Sequence, residues 1–509
     1  MEVGADKAFR KGGRIAPAAF VGARALHHHD RAVAQELPAL PTDLLLVKGH
    51  ARPTGRKRVA VLFSGGPASG GHDTLCGIAD ALKGHALLGV HGGPGGLLTG
   101  ALKPLSTKGL RGTGGFHALG TDRTKLKPHL EQIRTICAQH GIDAIIIIGG
   151  DDSNTNAAFL ANALHGVQVI GVPKTMDCDL QALPWIPCTF GFDTACRTYA
   201  ELVGNLIADT LSTRRYWHVV RLMGRDASHV TLEVALRTHP TLTLISEEEG
   251  WRQRTLHDVV EEVAALVNER VAAGKDYGVI LVPEGLLERL ADVRGLVHDI
   301  DLLWARKGSA LGRRQLSRRR AYVARKLAYH RDLFLRFPAR FQEMLCLDRD
   351  AHGNIKLSQL PTEELLTELV RARVERDGYV FRAVNHFYGY EGRCGAPSTF
   401  DQWLGYNLGL VAGSLVADGR TGYLSAFGDL SRGGRPAAVP LAALLDVEQR
   451  AGQAGLVIRK RLIQHDDPAF LAFARERSSW RRDAPLVRRP CDPGRILLPV
   501  TVALNEGKR

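Results

Sequence analysis

Aromatic residues make up only 6% of the 509-residue chain, which excludes a chain-long base-stacking surface. Cysteine is scarce as well: eight residues, none in a C-x-x-C pair, exclude a disulfide scaffold and predict reduced, buried thiols in a cytoplasmic protein. Long apolar runs are missing. Stretches such as 144–148 and 408–416 fall far below the ~18 residues that a membrane span needs. The opening residues, MEVGADKAFRKGG, carry no secretory hydrophobic segment. A soluble protein with no membrane partner is expected. The pattern G-x-x-x-x-G-K-[ST] does not occur, so an ordinary Walker nucleotide site is not indicated. No internal repeat is evident.

What is abundant is glycine, 55 residues, clustered in pairs after apolar runs rather than at a fixed period. That excludes collagen and points to many tight backbone turns. Apolar residues at 45% and charged residues at 24% match ordinary globular usage, with room for two or three domains. Lys plus Arg number 67 against 53 Asp plus Glu, a surplus of 14. Such a surplus favours polyanionic partners, nucleic acid or phosphorylated small molecules, unless it is a solvated Arg-rich surface. Arg is dense over 313–331, but no zinc-finger or RNA-recognition signature accompanies it, and nucleic acid is not expected as a partner. His27, His28 and His29 before Asp30 read as a polar arm rather than a metal site, since nothing nearby supplies a rigid outer shell.

Residues 1–55 lack a firm period and read as an N-terminal arm. From residue 56 short apolar runs end in glycine or proline turns: 59–63 before Ser64-Gly65-Gly66, 144–148 before Gly149-Gly150-Asp151-Asp152, and 167–172 before Pro173-Lys174-Thr175. Two more, 216–222 and 277–282, precede Met223-Gly224-Arg225 and Pro283-Glu284-Gly285. Continuous runs of five to seven apolar residues suit parallel strands buried on both faces, and helix-like stretches separate them. The fold class is therefore α/β, doubly wound and three-layered. In such sheets ligands bind beyond the carboxyl ends of the strands, where all five motifs fall. Residues 286–376 break the alternation and read as a helical insertion. Alternation resumes near Tyr379, and the sequence turns irregular after Leu462.

Each loop has a chemical reading. The glycines at 65, 66, 70 and 71 let backbone N–H groups turn toward a phosphate, although a glycine loop is equally a simple turn. GGDDSN at 149–154 sets two carboxylates on a strand-to-helix turn, where Asp151 could hold Mg2+ against a phosphate. The competing reading is helix N-capping by Asp152 or Ser153. PKTMDCDL at 173–180 combines a cation with two carboxylates. Phosphoryl transfer needs charge neutralisation, a task for Lys174, and a base for the attacking hydroxyl, a task for Asp177 or Asp179. Arg225 and Arg393 stand at glycine turns, where guanidinium forks suit a sugar phosphate, and Glu284 could accept hydrogen bonds from sugar hydroxyls. Singly, each of these residues would pass for a surface residue.

Taken in order, SGGPASGGH, HGGPGGLLTG, GTGGF, GGDDSN, PKTMDCDL, MGRDASH, PEG, DRDAHGN and YEGRCGAPSTFD resemble the 6-phosphofructokinase superfamily. More narrowly they resemble its long, pyrophosphate-dependent branch, from about residue 56 to about 477. The resemblance implies two α/β subdomains, 56–205 (completed by about 400–470) and 206–399, with the site between them, followed by a tail at 471–509. It implies pyrophosphate contacts at Gly66 and Lys174, Mg2+ at Asp151, and Asp177 as proton acceptor for the sugar 1-hydroxyl. Thr175, Met176, Met223, Gly224, Arg225, Glu284, Tyr390, Glu391, Gly392 and Arg393 would hold fructose 6-phosphate. Arg215 and Tyr216 match a pair that reaches the sugar phosphate of a neighbouring subunit, which implies a homodimer or higher oligomer, with or without a related subunit. Asp152 and Lys174 replace the two glycines of the ATP-using relatives.

Several positions depart from the branch. Pro67, Ser69 and Asp73 are atypical in the first loop, Asp122 stands where glycine is usual, and Cys178 where glycine or asparagine is common. The expected activity is reversible, Mg2+-dependent phosphoryl transfer from pyrophosphate to fructose 6-phosphate. The rivals are an ATP-dependent phosphofructokinase and a weakly active regulatory subunit of the pyrophosphate-dependent enzyme.

Overall fold

The computed structural model describes residues 10–11, 14–15, 17–25, 31–50, 55–248, 250–347, 357, 360–450 and 453–482. The His27–His29 cluster, the motif at 348–354 and the tail from 483 onward lie outside these residues. The described residues divide into two units, 10–196 with 390–461, and 197–389 with 462–482. Among the described residues no helix is long and apolar enough to cross a membrane.

The first unit is built on a ten-stranded mixed sheet. Its centre is parallel: Tyr423–Gly428, Gln168–Pro173, Ala144–Gly149, Arg58–Ser64 and Ala86–Val90 lie side by side in that order. The short strand Thr121–Asp122 also pairs in parallel with the end of Arg58–Ser64. Ala144–Gly149 is buried at every position, as the unbroken run of isoleucines requires, because both faces of a central parallel strand are covered. The edges are antiparallel: Leu102–Pro104 on one side, and Arg435–Pro440, Asp43–His50 and Ala18–Ala25 on the other. Residues 18–50, expected as an arm, thus supply the two outermost strands on that side and a short helix, Arg31–Glu36. Asp43–His50 is buried only at Leu44 and Leu45 and partly or fully exposed elsewhere, which gives a weaker apolar signal than a central strand.

The second unit holds a four-stranded, wholly parallel sheet in the order Leu242–Thr243, Tyr277–Pro283, Tyr216–Leu222, Ala383–Tyr388. Among the described residues, 286–376 carry six α-helices. Their Val293, Leu296, Phe334, Phe337, Phe341 and Val370 share one apolar cluster with Trp217, Val219 and Ile280 of the sheet. The insertion is part of this unit's core. The stretch after Leu462, irregular by sequence, contains the helix Pro468–Arg482, whose Trp480 stacks on His239 at 4.5 Å.

One helix contact fixes the position of the first phosphate-loop candidate. Gly71–Ala81, which follows that loop, lies against Thr399–Ala417 with backbone on backbone. A Cβ on Gly77 would stand 2.1 Å from the Tyr406 carbonyl oxygen, and one on Gly409 would stand 2.2 Å from that of Thr74. No side chain can withdraw to make room, so the helices must separate. Gly77→Ala should lower stability by about 1–3 kcal/mol despite the ~1 kcal/mol that alanine gains in helix propensity. Chemical denaturation of the two proteins checks this, and a neutral or stabilised variant would show the contact to be looser than drawn.

Candidate active site

In the first unit the parallel strands deliver their loops to a common region. Arg58–Ser64 ends in Gly65, whose φ of +83° is a left-handed conformation that glycine adopts without cost. The loop is tied down by the Gly65 N–H, which donates to the Asp122 carbonyl oxygen at 2.8 Å. Cations surround it. From an ideal Cβ position on Gly65 the Lys174 Nζ is 3.6 Å away. From Gly66 the Arg393 Nη1 is 3.5 Å away and the Arg123 Nη2 3.7 Å. Three positive side chains converge on two glycines, and the Arg393 Nε is a buried donor with no partner. Such an arrangement is made for an anion, since an unmatched buried donor is costly.

Lys174 follows the strand Gln168–Pro173 and is 6% exposed. Its backbone N–H donates to the Gly149 carbonyl oxygen at 2.9 Å, which locks it beside the next loop. Burial pushes its ammonium down to about 8, against the pull of Asp177 and Asp151, with Arg123 pushing further down and Asp179 pulling up. Of the two candidate bases, Asp177 acts more strongly on Lys174, and it is half-buried where Asp179 is 4% exposed. The loop around Asp177 is braced at both ends. The Asp177 N–H donates to the Thr175 Oγ1 at 3.1 Å, and the Thr189 hydroxyl donates to the Thr175 carbonyl oxygen at 2.6 Å. Met176 is buried.

Asp151 and Asp152 open the helix Asp151–Ala163, and neither Asp152 nor Ser153 caps it: the cap position is Gly150. Ser153 instead donates to the Ser64 hydroxyl at 2.8 Å, and Asn154 donates to the carbonyls of Gly149 and Gly150. The capping alternative gives way to a brace that joins two strand ends. Asp151 is partly exposed and Asp152 exposed. Asp151 has the Lys460 ammonium at 3.5 Å. Lys460 arrives there from the hairpin Leu445–Arg450 and Gln453–Ile458, which is pinned to the helix by the Ile458 N–H donating to Thr155 Oγ1 at 2.9 Å. Arg393 closes the short helix Tyr390–Arg393 and lies 4.7 Å from the centre of the Tyr390 ring. Tyr390 is 67% exposed, Glu391 is exposed and Gly392 buried.

In the second unit Glu284, 9% exposed, follows Tyr277–Pro283 and accepts from the Gly224 N–H at 3.0 Å, which brings the Glu284 and Met223-Gly224-Arg225 loops together. Arg225 lies near Glu288, whose carboxyl is raised chiefly by burial. Arg215 and Tyr216 are exposed, in a turn where Arg214 and Tyr216 have φ of +51° and +66°. Two non-glycine residues held left-handed within three positions mark a backbone kept under strain.

Residues 58–416 match the family model described as Phosphofructokinase. The chain belongs to the phosphofructokinase family. It is similar to the pyrophosphate–fructose 6-phosphate 1-phosphotransferase subunit beta of Solanum tuberosum, 38% identical over 461 residues, which span 86% of this chain and 79% of that protein. The enzyme of the same name from Treponema pallidum is 39% identical over 448 residues, 83% of this chain and 78% of that one. The crystal structure of a pyrophosphate-dependent phosphofructokinase from Marinobacter aquaeolei superposes with a TM-score of 0.54 at 16% identity, over 81% of this chain and 88% of that one, a likeness of fold.

Three of the positions that depart from the branch, Asp122, Ser69 and Asp73, have local partners. Asp122 accepts from the Gly95 N–H at 3.1 Å and from the Thr124 hydroxyl, so its charge is spent at the start of the helix Gly93–Leu98. Ser69 donates to the Gly395 carbonyl oxygen at 2.7 Å. Asp73 is buried and accepts from the Gly112 N–H at 3.0 Å, while its Oδ2 has no partner. Nothing in the structure explains Pro67. Two residues that the motifs did not single out belong to the site: Arg123 and Lys460. Arg123 was visible only as the residue after the atypical Asp122, and Lys460 lay in a basic stretch with no motif.

Burial raises the Asp73 carboxyl from 3.8 to about 6, opposed by Gly112 and Arg111. A raised folded value favours the protonated form. The stability this residue contributes is therefore full below pH ~4 and lost as pH rises through 6. Asp73→Asn, neutral at every pH, should match the parent near pH 4 and exceed it by about 1–2 kcal/mol at pH 7.5. Denaturant midpoints across that range test it; a pH-independent difference would show that charge is not the cause.

Proposed function

We propose that the chain transfers a phosphoryl group reversibly from pyrophosphate to the 1-hydroxyl of fructose 6-phosphate, giving fructose 1,6-bisphosphate and phosphate. The observation that carries this is the buried Lys174 ammonium, placed with Arg123 and Arg393 around Gly65 and Gly66 and facing Asp177. The naming of the relatives supports the same donor and acceptor. Pyrophosphate is compact and densely anionic, so fixed cations at a glycine turn give it most of its binding. Lys174 and Arg123 bind it and stabilise the charge that develops on the leaving phosphate. Arg393, expected at fructose 6-phosphate, is assigned here to pyrophosphate because its Nη1 lies 3.5 Å from the Cβ position of Gly66. Asp177 accepts the proton of the sugar hydroxyl, and Thr175 and Met176 line its approach. Met223, Gly224, Arg225 and Glu284, with Tyr390, Glu391 and Gly392, orient the sugar phosphate. Arg215 and Tyr216 serve a neighbouring copy, and the potato relative's description as a beta subunit fits an assembly of subunits.

Among the described residues no group of three or more His, Cys, Asp or Glu is set to hold a metal ion. That fits Mg2+ delivered by pyrophosphate, because this ion keeps several waters and takes one or two carboxylates plus phosphate oxygens. Asp151 would hold it, and the ion would neutralise phosphate charge. Asp152, which is exposed, adds negative charge on the side where a nucleotide would extend, and this like-charge contact disfavours that donor.

A coupled assay with fructose 6-phosphate decides the donor. Product is expected with pyrophosphate and not ATP, and Asp152→Gly should raise the rate with ATP. Equal use of both donors by the parent protein would sink the reading, and no product with either would favour a regulatory subunit. The base is tested separately. Asp177→Asn should cost ~100- to 10,000-fold in turnover while both substrates still bind. A variant with near-normal turnover would remove Asp177 from the role and turn attention to Asp179.

A further inference from the structure

The loop 223–228 of the second unit carries Met223, Gly224 and Arg225, the sugar-phosphate groups of the proposed function, and leads into the helix His229–Thr238. Its backbone is held at three points. The Gly224 N–H donates to Glu284 at 3.0 Å, the Asp226 carbonyl oxygen accepts from Arg289, and the Ser228 N–H donates to the Glu247 Oε1 at 2.8 Å. Ser228 is 1% exposed, so its N–H finds no water if that carboxylate is lost. The Ser228 hydroxyl meets that of Ser246 at 2.9 Å, and the Ser246 hydroxyl donates to the Glu247 Oε2 at 3.1 Å. One carboxylate thus fixes the end of the loop and the start of the helix.

Glu247 follows the short strand Leu242–Thr243 and is itself held by the C-terminal segment. The His465 Nε2 lies 3.0 Å from the Glu247 carbonyl oxygen, and the Arg477 guanidinium donates to the Glu248 carboxylate at 2.6 Å. The same helix, Pro468–Arg482, also reaches the far end of His229–Thr238, where the buried Trp480 stacks on His239 at 4.5 Å. Arg477 lies over the buried Phe473 ring, 5.2 Å from its centre. Anchored by two buried aromatics, the helix supports His229–Thr238 at one end and the partner of its first residues at the other.

We propose that the segment 462–482 is a strap that sets the loop 223–228 through Glu247, so that affinity for fructose 6-phosphate depends on the C-terminal helix. Glu247 is a positioning residue. It holds the loop's backbone three residues after Arg225 and takes no part in the transfer. Without its carboxylate the buried Ser228 N–H must move to find an acceptor, and Arg225 moves with it. Loss of the Arg477 pair loosens the turn that presents Glu247, a smaller change of the same kind. The pyrophosphate loops at 65–66 and 174–177, in the first unit, share none of these bonds. The sugar assignment rests on the proposed function; the strap does not.

The test compares Glu247→Ala, Glu247→Gln and Arg477→Ala in the full-length protein. Amide hydrogen exchange read by mass should speed up over 223–230 in both alanine variants and keep the parent's rate over 58–71. In the coupled assay Glu247→Ala should raise the KM for fructose 6-phosphate about 10- to 100-fold and leave that for pyrophosphate unchanged. Arg477→Ala, which loses a partly exposed pair, should raise it about 2- to 5-fold. Glu247→Gln keeps an oxygen for the Ser228 N–H and should recover most of the loss. If Glu247→Ala does not fold, Arg477→Ala decides. Equal rises in both KM values would show a general structural role and overturn the proposal. Unchanged exchange over 223–230 overturns the strap, and faster exchange with an unchanged fructose 6-phosphate KM overturns its control of the sugar site. A parent inactive on fructose 6-phosphate overturns the proposed function instead, and the exchange measurement still decides the strap.

Discussion

The burial of one ammonium group organises the first unit's candidate site. Lys174 is nearly inaccessible, and removing its charge from water lowers its affinity for the proton. The unfolded chain binds that proton more tightly, so folding bears a cost that is full below pH ~8 and relieved as pH rises from about 8 to 10.5. A fold that accepts such a cost must hold compensating groups in place. Asp177 and Asp151 supply them, and Arg123, a second cation, works against them. The balance leaves Lys174 short of negative charge. A dianionic or trianionic phosphate would restore it, which is why the same geometry that is poor for stability is good for binding.

Holding these groups requires backbone precision, and the brace residues provide it. Ser153 links to Ser64, Asn154 links to Gly149 and Gly150, Thr189 links to Thr175, and the Lys174 N–H links to Gly149. Each bond joins the end of one strand or loop to another. The loops are thereby coupled to the parallel strands Arg58–Ser64, Ala144–Gly149 and Gln168–Pro173, whose buried cores do not shift easily. Close packing of the glycine-bearing helices Gly71–Ala81 and Thr399–Ala417 fixes the helix that follows the first loop.

What the sequence disclosed follows from what each element must bury. The five continuous apolar runs are central parallel strands, because strands covered on both faces leave no polar alternation. Their loops were legible for the same reason: the run ends sharply, and the polar residues after it stand out. The outermost strands on one side were less legible. Ala18–Ala25 and Asp43–His50 are half-solvated and pair antiparallel, so their pattern is diluted and passes for an arm. The insertion's helices were visible by period, but not their role as the core of the second unit, which depends on contacts with Trp217 and Val219 far away in the chain. Arg123 and Lys460 escaped because a cation in a loop carries no signal until three-dimensional proximity gives it a partner.

The atypical positions bear on whether the site has decayed. A decaying site accumulates charges without partners and lost cations. Here Asp122 spends its carboxylate on Gly95 and Thr124, and Ser69 spends its hydroxyl on Gly395. Asp73 is the partial exception, with one oxygen on Gly112 and the other unmatched, but its carboxyl is held up near 6 by burial, and Arg111 opposes the charge that remains. Neither Asp122 nor Asp73 is among the groups that set the state of Lys174. The substitutions therefore alter the frame of the phosphate loop while leaving its cations in place. Cys178 follows the same rule: held at φ +55° next to the proposed base, it is built into the loop, its sulfur accepting from the Gln181 Nε2 at 3.2 Å.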